Sequence, residues 1–89
     1  MRAVITVVGK DMVGILARVS GVCAQANANV IEVTQSVLQD LFAMVMLVEI
    51  SAMTTDFDAF SASVEAVGRE MGLSPHVMHE DIFNSMHRI

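Results

Sequence analysis

An α+β sandwich with its elements in the order β-α-β-β-α-β is the fold class this 89-residue sequence predicts. Three observations predict it. The apolar residues change period along the chain, from alternate positions to helical spacing and back, which marks strands and helices. Residues that break regular structure fall between those segments: Gly9 to Gly14, Asn27-Ala28-Asn29, Gln39-Asp40 and Gly72. The stretch Leu41 to Ile50 is apolar on both faces, so a sheet that holds it is expected to be covered on both sides.

Arg2 to Val8 is β-branched and apolar and reads as the first strand. Gly9 to Gly14 breaks it. From Ile15 to Ala28, residues Ile15, Val19, Val22 and Ala26 keep helical spacing, with Leu16 and Cys23 beside them. Asn27-Ala28-Asn29 ends that helix. Val30 to Leu38 alternates. Ile31, Val33, Gln35 and Val37 point one way; Glu32, Thr34 and Ser36 point the other, as in a half-exposed strand. Gln39-Asp40 is a tight connection to the next strand, Leu41 to Ile50, so the two form a hairpin. There Phe42, Met44, Met46 and Val48 line one face, and Leu41, Ala43, Val45 and Leu47 the other.

Thr54-Thr55-Asp56 starts a second helix, with Thr55 and Asp58 at the spacing of a capping box. Phe57, Phe60, Val64, Val67 and Met71 form one narrow stripe, and Gly72 terminates the helix. Leu73 to Glu80 is a last short strand, which Pro75 places at a sheet edge. In the tail, residues 81–89, Ile82, Met86 and Ile89 fall on one helical face.

This order fits a single ferredoxin-like domain over residues 1–89. Its four-stranded antiparallel sheet carries two helices on one face, with a short C-terminal helical tail. The other face of the sheet is then left for a second subunit, the tail, or both. Composition points the same way. The chain is 54% hydrophobic and its mean hydropathy is +0.59. A domain of this size buries only about 60% of its unfolded surface. The expected outlet for the surplus is a homo-oligomer, first of all a dimer.

The net charge of −5, with only five basic residues and no Tyr or Trp, predicts no nucleic-acid partner. The acidic balance likewise disfavours an anionic membrane. The apolar runs fall well short of the ~20 residues a membrane span needs. The start lacks a signal-peptide pattern. Cys23 is the single cysteine, so no internal disulfide forms and the cytoplasm is the expected compartment.

The first loop, Gly9-Lys10-Asp11-Met12-Val13-Gly14, is the sharpest motif. It leads from a central strand into a helix. Backbone N–H groups at a helix N-terminus, with the positive end of the helix dipole, favour a carboxylate or another anion. Gly9 and Gly14 allow close backbone approach, and Asp11 can accept hydrogen bonds from an amine or cap the helix. The competing structural reading is that the glycines only make the turn. Ile15-Leu16 after Gly14 excludes a P-loop.

Val7-Val8-Gly9-Lys10-Asp11-Met12-Val13-Gly14-Ile15-Leu16, followed by Asn29-Val30-Ile31, resembles the ACT domain family over essentially the whole chain. The length and the tail are similar to small stand-alone ACT proteins related to the regulatory modules of glycine-cleavage repressors. The resemblance implies a non-enzymatic regulatory module of βαββαβ order that binds an amino acid or similar metabolite where two domains meet. It matches Asp11 to the polar loop position that contacts ligand, Gly14 to the loop glycine, and Asn29 to the asparagine that opens the second strand. Val13 stands where a proline is common, and Gly9 where some ligand-binding members carry a polar side chain. The implied site combines Asp11, Met12, Val13, Gly14 and Ile15 of one subunit with Asn29, Val30 and Ile31 of its partner. Loop N–H groups hold a carboxylate there, and Asp11 and Asn29 an amine.

Other chemistry-bearing residues form no comparable set. His76 and His79, three apart on a strand, point to opposite faces, so with His87, Glu80 and Asp81 they make a poor metal site. Cys23 reads as a small buried hydrophobe, and Met44 and Met46 as core or interface. Glu32 and Glu49 are expected near each other across the sheet. No cofactor and no catalytic residues are expected. Two other readings remain: a ligand-free assembly module that acts through its apolar surfaces and tail, and a small enzyme on a dimeric sandwich. In the regulatory reading the signal passes to a separate, unidentified protein.

Overall fold

The structure, a computed structural model, describes residues 1–10 and 12–86. The elements run β1 (Arg2–Lys10), α1 (Ile15–Gln25), β2 (Asn29–Leu38), β3 (Leu41–Glu49), α2 (Phe57–Glu70), β4 (Ser74–His79) and α3 (Glu80–Met86). All strand pairings are antiparallel, and the sheet order is β2-β3-β1-β4. This is the expected ferredoxin-like sandwich: β1 and β3 are central, and β2 and the proline-bearing β4 form the edges.

Strand alternation decides which side chains enter the core. Ala3, Ile5 and Val7 of β1 lie opposite Val48, Met46 and Met44 of β3, and all six are fully buried. They pack beneath Ile15, Val19 and Cys23 of α1 and Phe60 and Val64 of α2. The predicted inward row of β3 is therefore the observed one. An Arg18–Glu70 ion pair of 2.7 Å joins the outer sides of the two helices.

Local chemistry sets the helix ends. α2 is capped by Asp56, whose Oδ1 accepts the Ala59 N–H at 2.7 Å, so the expected Thr55–Asp58 capping box is replaced by an aspartate one position later. At its other end Gly72 N–H reaches the Arg69 carbonyl and Leu73 N–H the Gly68 carbonyl, at 2.9 and 2.8 Å. α1 ends in the same way three residues earlier than expected. Asn27 takes φ 58°, and the Asn27 and Ala28 N–H groups reach the Ala24 and Cys23 carbonyls. Both are Schellman turns, with a left-handed residue just past the helix.

Other features of the strands also differ from expectation. β1 continues through Gly9 and Lys10, which pair with Phe42 and Leu41. Gly9 is thus a strand residue: a Cβ there would lie 2.6 Å from Leu73 Cδ2, so it serves core packing rather than ligand approach. β2 contains a bulge between Val30 and Glu32. Val30 and Val33 both pack against the core, and Ile31 is the inserted residue, exposed rather than in the inward row with Val33. The bulge also sets Glu32 opposite Leu47 and Asn29 opposite Glu49, so the two glutamates are not cross-strand neighbours. Finally, Glu80 begins α3 instead of ending β4.

The tail is helical as far as Met86, and α3 lies on the open face of the sheet against β1 and β4. Phe83 and Asn84 roof a cavity of about 230 Å³ whose floor includes Val4, Val45 and Leu47. Val4 is buried although it faces away from the two long helices. The other end of that face, with Val8 and Leu41, stays exposed. No helix among the described residues is long and apolar enough to cross a membrane.

Candidate functional site

The candidate site grows from the junction of β1 and α1. Gly14 is the N-cap of α1, at φ 91° and ψ 5°, a left-handed conformation that side chains with a Cβ adopt at a cost. A Cβ on Gly14 would meet nothing within 4 Å, so backbone geometry alone calls for glycine. Among the described residues no side chain caps α1, and its first turn carries no acidic group. The first intrahelical bond runs from Arg18 N–H to the Gly14 carbonyl at 3.0 Å. The earlier N–H groups of the helix belong to the uncapped first turn, where an anion is favoured.

A groove of about 510 Å³ opens beside this turn, lined among others by Met12, Gly14, Leu16, Ser20, Gln35 and Phe42. Of the expected loop residues, Met12, Gly14 and Ile15 line it. Val13 is 99% exposed, and Ile15 anchors the helix in the core. Asp11 lies outside the described residues.

The second set of expected residues lies elsewhere in the same chain. Asn29 pairs with Glu49, and Glu49 with Arg2, at the far end of the sheet from Lys10, Leu41 and Leu38. Eight residues of strand separate the two ends, about 27 Å at the usual rise. Asn29 and Val30 line another groove, of about 500 Å³, with Ser20, Ala24, Asn27 and Glu49. Ile31 sits on the bulge and lines neither. Ser20 lines both grooves, so they run along one side of α1 beside β2, one at each end. One copy of the chain does not bring the two sets together.

Two polar residues in these grooves escape the sequence motif. Ser20 is on the outward side of α1 with Ala17 and Ala24. Gln35 occupies the helix-facing register of β2, opposite Met44. A polar residue in that otherwise apolar row was the available signal.

A third groove, of about 630 Å³, is at the charged end, lined by Met1, Arg2, Glu49, His79, Glu80 and Asp81. Its charges are largely committed to one another. Arg2 holds Glu80 through two nitrogens, at 2.7 and 2.9 Å. Glu49 Oε2 accepts from Ser51 Oγ at 2.6 Å, from Ser51 N–H at 3.0 Å and from the Met1 ammonium at 3.1 Å. The Ser51 donors, followed by the ammonium, hold the Glu49 carboxyl down at about 2. A carboxylate so satisfied is a poor proton acceptor.

His79 stacks on Phe57 of α2, with ring centroids 4.1 Å apart. It pairs with Ala3 on the helix side, whereas His76 pairs with Thr6 on the open side. The two imidazoles therefore diverge as the spacing predicts. His87 lies outside the described residues, among which no three His, Cys, Asp or Glu side chains converge as a metal site. Cys23 is fully buried, and that burial pushes its thiol up to about 11, so it stays protonated and unreactive at neutral pH.

A family model described as an ACT domain matches residues 2–78. A UPF0237 protein of Methanococcus maripaludis is 48% identical over 86 residues, which cover 97% of this chain and 96% of that protein. An ACT domain protein from Streptococcus pneumoniae superposes with a TM-score of 0.79 at 37% identity, covering 93% of each chain. A solved structure described as a candidate glycine cleavage system transcriptional repressor shares the fold, with a TM-score of 0.71 at 23% identity over 85% of this chain and 43% of that one. In sequence and architecture alike, the chain belongs to the ACT domain family.

Proposed function

We propose that the chain is a non-enzymatic regulatory module of the cytoplasm that binds an amino acid or a similar small metabolite between two copies of itself. The observation that carries this reading is the placement of two grooves at opposite ends of the same α1–β2 side. β2 is an edge strand with one unpaired side. Two such edges pairing antiparallel about a two-fold axis bring the Asn29 end of one copy to the Leu38 end of the other. Each loop groove then meets its partner's Asn29 groove, and two equivalent sites form.

The chemistry of those sites suits a zwitterion. The first turn of α1, which no described side chain caps, offers N–H groups to a carboxylate. Asn29 and Gln35 offer amide oxygens to an ammonium, and Asp11 adds a carboxylate from the loop. Met12, Leu16 and Phe42 provide apolar surface for a side chain. A ligand held by both copies stabilises one arrangement of subunits, and that arrangement is the signal another protein reads.

A thermal-shift screen of the twenty amino acids tests the proposal. A ligand at a hundred times its dissociation constant adds about 2.7 kcal/mol of stability, a readily measured rise in Tm. The rise should be lost in Asn29→Ala and Gln35→Ala, which replace exposed side chains, and in Asp11→Ala. If none of the twenty shifts the wild-type protein, amino-acid binding is wrong and the assembly-only reading takes its place.

A further inference from the structure

We propose that the bare half of the open sheet face is covered by α3 of a second copy, in a two-fold, face-to-face pair separate from any pairing of β2 edges. The inference does not depend on the ligand reading. It starts from α3, a helix of seven residues, too short to persist on its own propensity. Its Phe83 side lies over the sheet of its own chain. Its other side carries Ile82 and Met86, one turn apart and 52% and 64% exposed. A helix apolar on two sides is one that packs on two sides.

The receiving surface is on the same face of the same chain. α3 covers the end near Val4 and Leu47. The end bearing Val8, Leu41 and the outer part of Val45 is uncovered and apolar. A two-fold axis lying in the interface and running across the strands exchanges these ends. It sets each α3 on the other copy's bare half, with Ile82 and Met86 against Val8, Leu41 and Val45. The two α3 helices then lie side by side as one layer shared by two sheets. The same operation turns the acidic start of α3, Glu80-Asp81, toward the end of the other copy's β1 that carries Lys10. The dimensions allow it. The molecule is a slab of 36 × 34 × 19 Å, and a broad face of that size exceeds the roughly 800 Å² per partner that a standard interface buries.

The test is the mass in solution, by light scattering, of the full chain and three variants. Ile82→Asp/Met86→Asp alters the donor side, and Val8→Lys the receiving side. All three residues are exposed, so the variants should keep the wild-type circular dichroism. Val37→Pro removes an N–H that points away from β3, because Val37 and Phe42 are a non-hydrogen-bonded pair of the hairpin, and so attacks edge pairing only. The proposal expects both face variants to halve the wild-type mass. A fall from four copies to two with the face variants and with Val37→Pro alike keeps both interfaces. A fall from two copies to one with the face variants, and none with Val37→Pro, keeps the face pair and removes edge pairing. A wild-type monomer, or a mass that either face variant leaves unchanged, overturns the proposal.

Discussion

The two ends of the sheet are built on opposite plans. At the end where Arg2, Glu49 and Asn29 lie side by side, charged groups answer one another: Arg2 with Glu80, and Glu49 with Ser51 and the N-terminal ammonium. At the end where Lys10, Leu41 and Leu38 meet, the chain exposes Met12, Val13, Leu38 and Leu41, and α1 starts without a side-chain cap among the described residues. One end is closed on itself. The other leaves both apolar surface and hydrogen-bond donors to be satisfied from outside. The two ends therefore differ in which contacts the chain leaves unmade.

If the open end is nonetheless a rigid frame, its glycines should be intolerant. Gly9→Ala drives a methyl to within 2.6 Å of Leu73 Cδ2 and 3.3 Å of its Cα. Overpacking of this kind costs about 1–3 kcal/mol, visible as a lowered denaturation midpoint. A midpoint equal to wild type would mean that Leu73 is free to move and the open end is soft. Gly14→Ala meets no neighbour, so its cost is the left-handed backbone alone, about 1 kcal/mol. A loss as large as that of Gly9→Ala would contradict this division between contact and conformation.

The closed end should matter less to stability than its dense pairing suggests. The Arg2–Glu80 pair is partly exposed, so Arg2→Ala should cost under about 1 kcal/mol, and less in high salt. The smallest effect belongs to Glu49, whose side chain is partly exposed. Its carboxyl is held at about 2, against 4.5 for a free glutamate. A lowered folded-state pKa contributes stability that is present above 4.5 and is lost as pH falls toward 2. Glu49→Gln should flatten the pH dependence of the melting temperature in that window by slightly lowering the melting temperature above pH 4.5, where the carboxylate is charged. An unchanged acid limb would assign that dependence to other carboxylates.

Much of the architecture was legible because it follows from period and punctuation. The β3 alternation from Phe42 to Val48, the Gly72 terminator and the edge position of Pro75 all register in local spacing. Ile31 was misplaced because a bulge preserves a strand's composition while shifting its parity. Nothing in Asn29-Val30-Ile31-Glu32 marks which residue is extra. Gly9 was misread for a related reason. Glycine in a strand and glycine in a loop look alike until the side chain that fills the missing Cβ's place, here Leu73 from 64 positions away, is known. The motif supplied Met12, Gly14 and Ile15 of one groove and Asn29 and Val30 of the other, while Val13 and Ile31 line neither. That the two sets stand at opposite ends of one chain is a property of pairing register. The same holds for Gln35, whose value depends on the groove beside it.

The bulge at Ile31 has a consequence for the protein at high concentration. An unpaired edge of ten residues invites further strands without limit, the first step toward fibrils. A bulge near one end breaks the flat run, leaving a shorter stretch from Glu32 to Leu38 in regular register. A short stretch can be closed by a single second copy. The irregular residue thus shortens the regular edge along which further strands could be added.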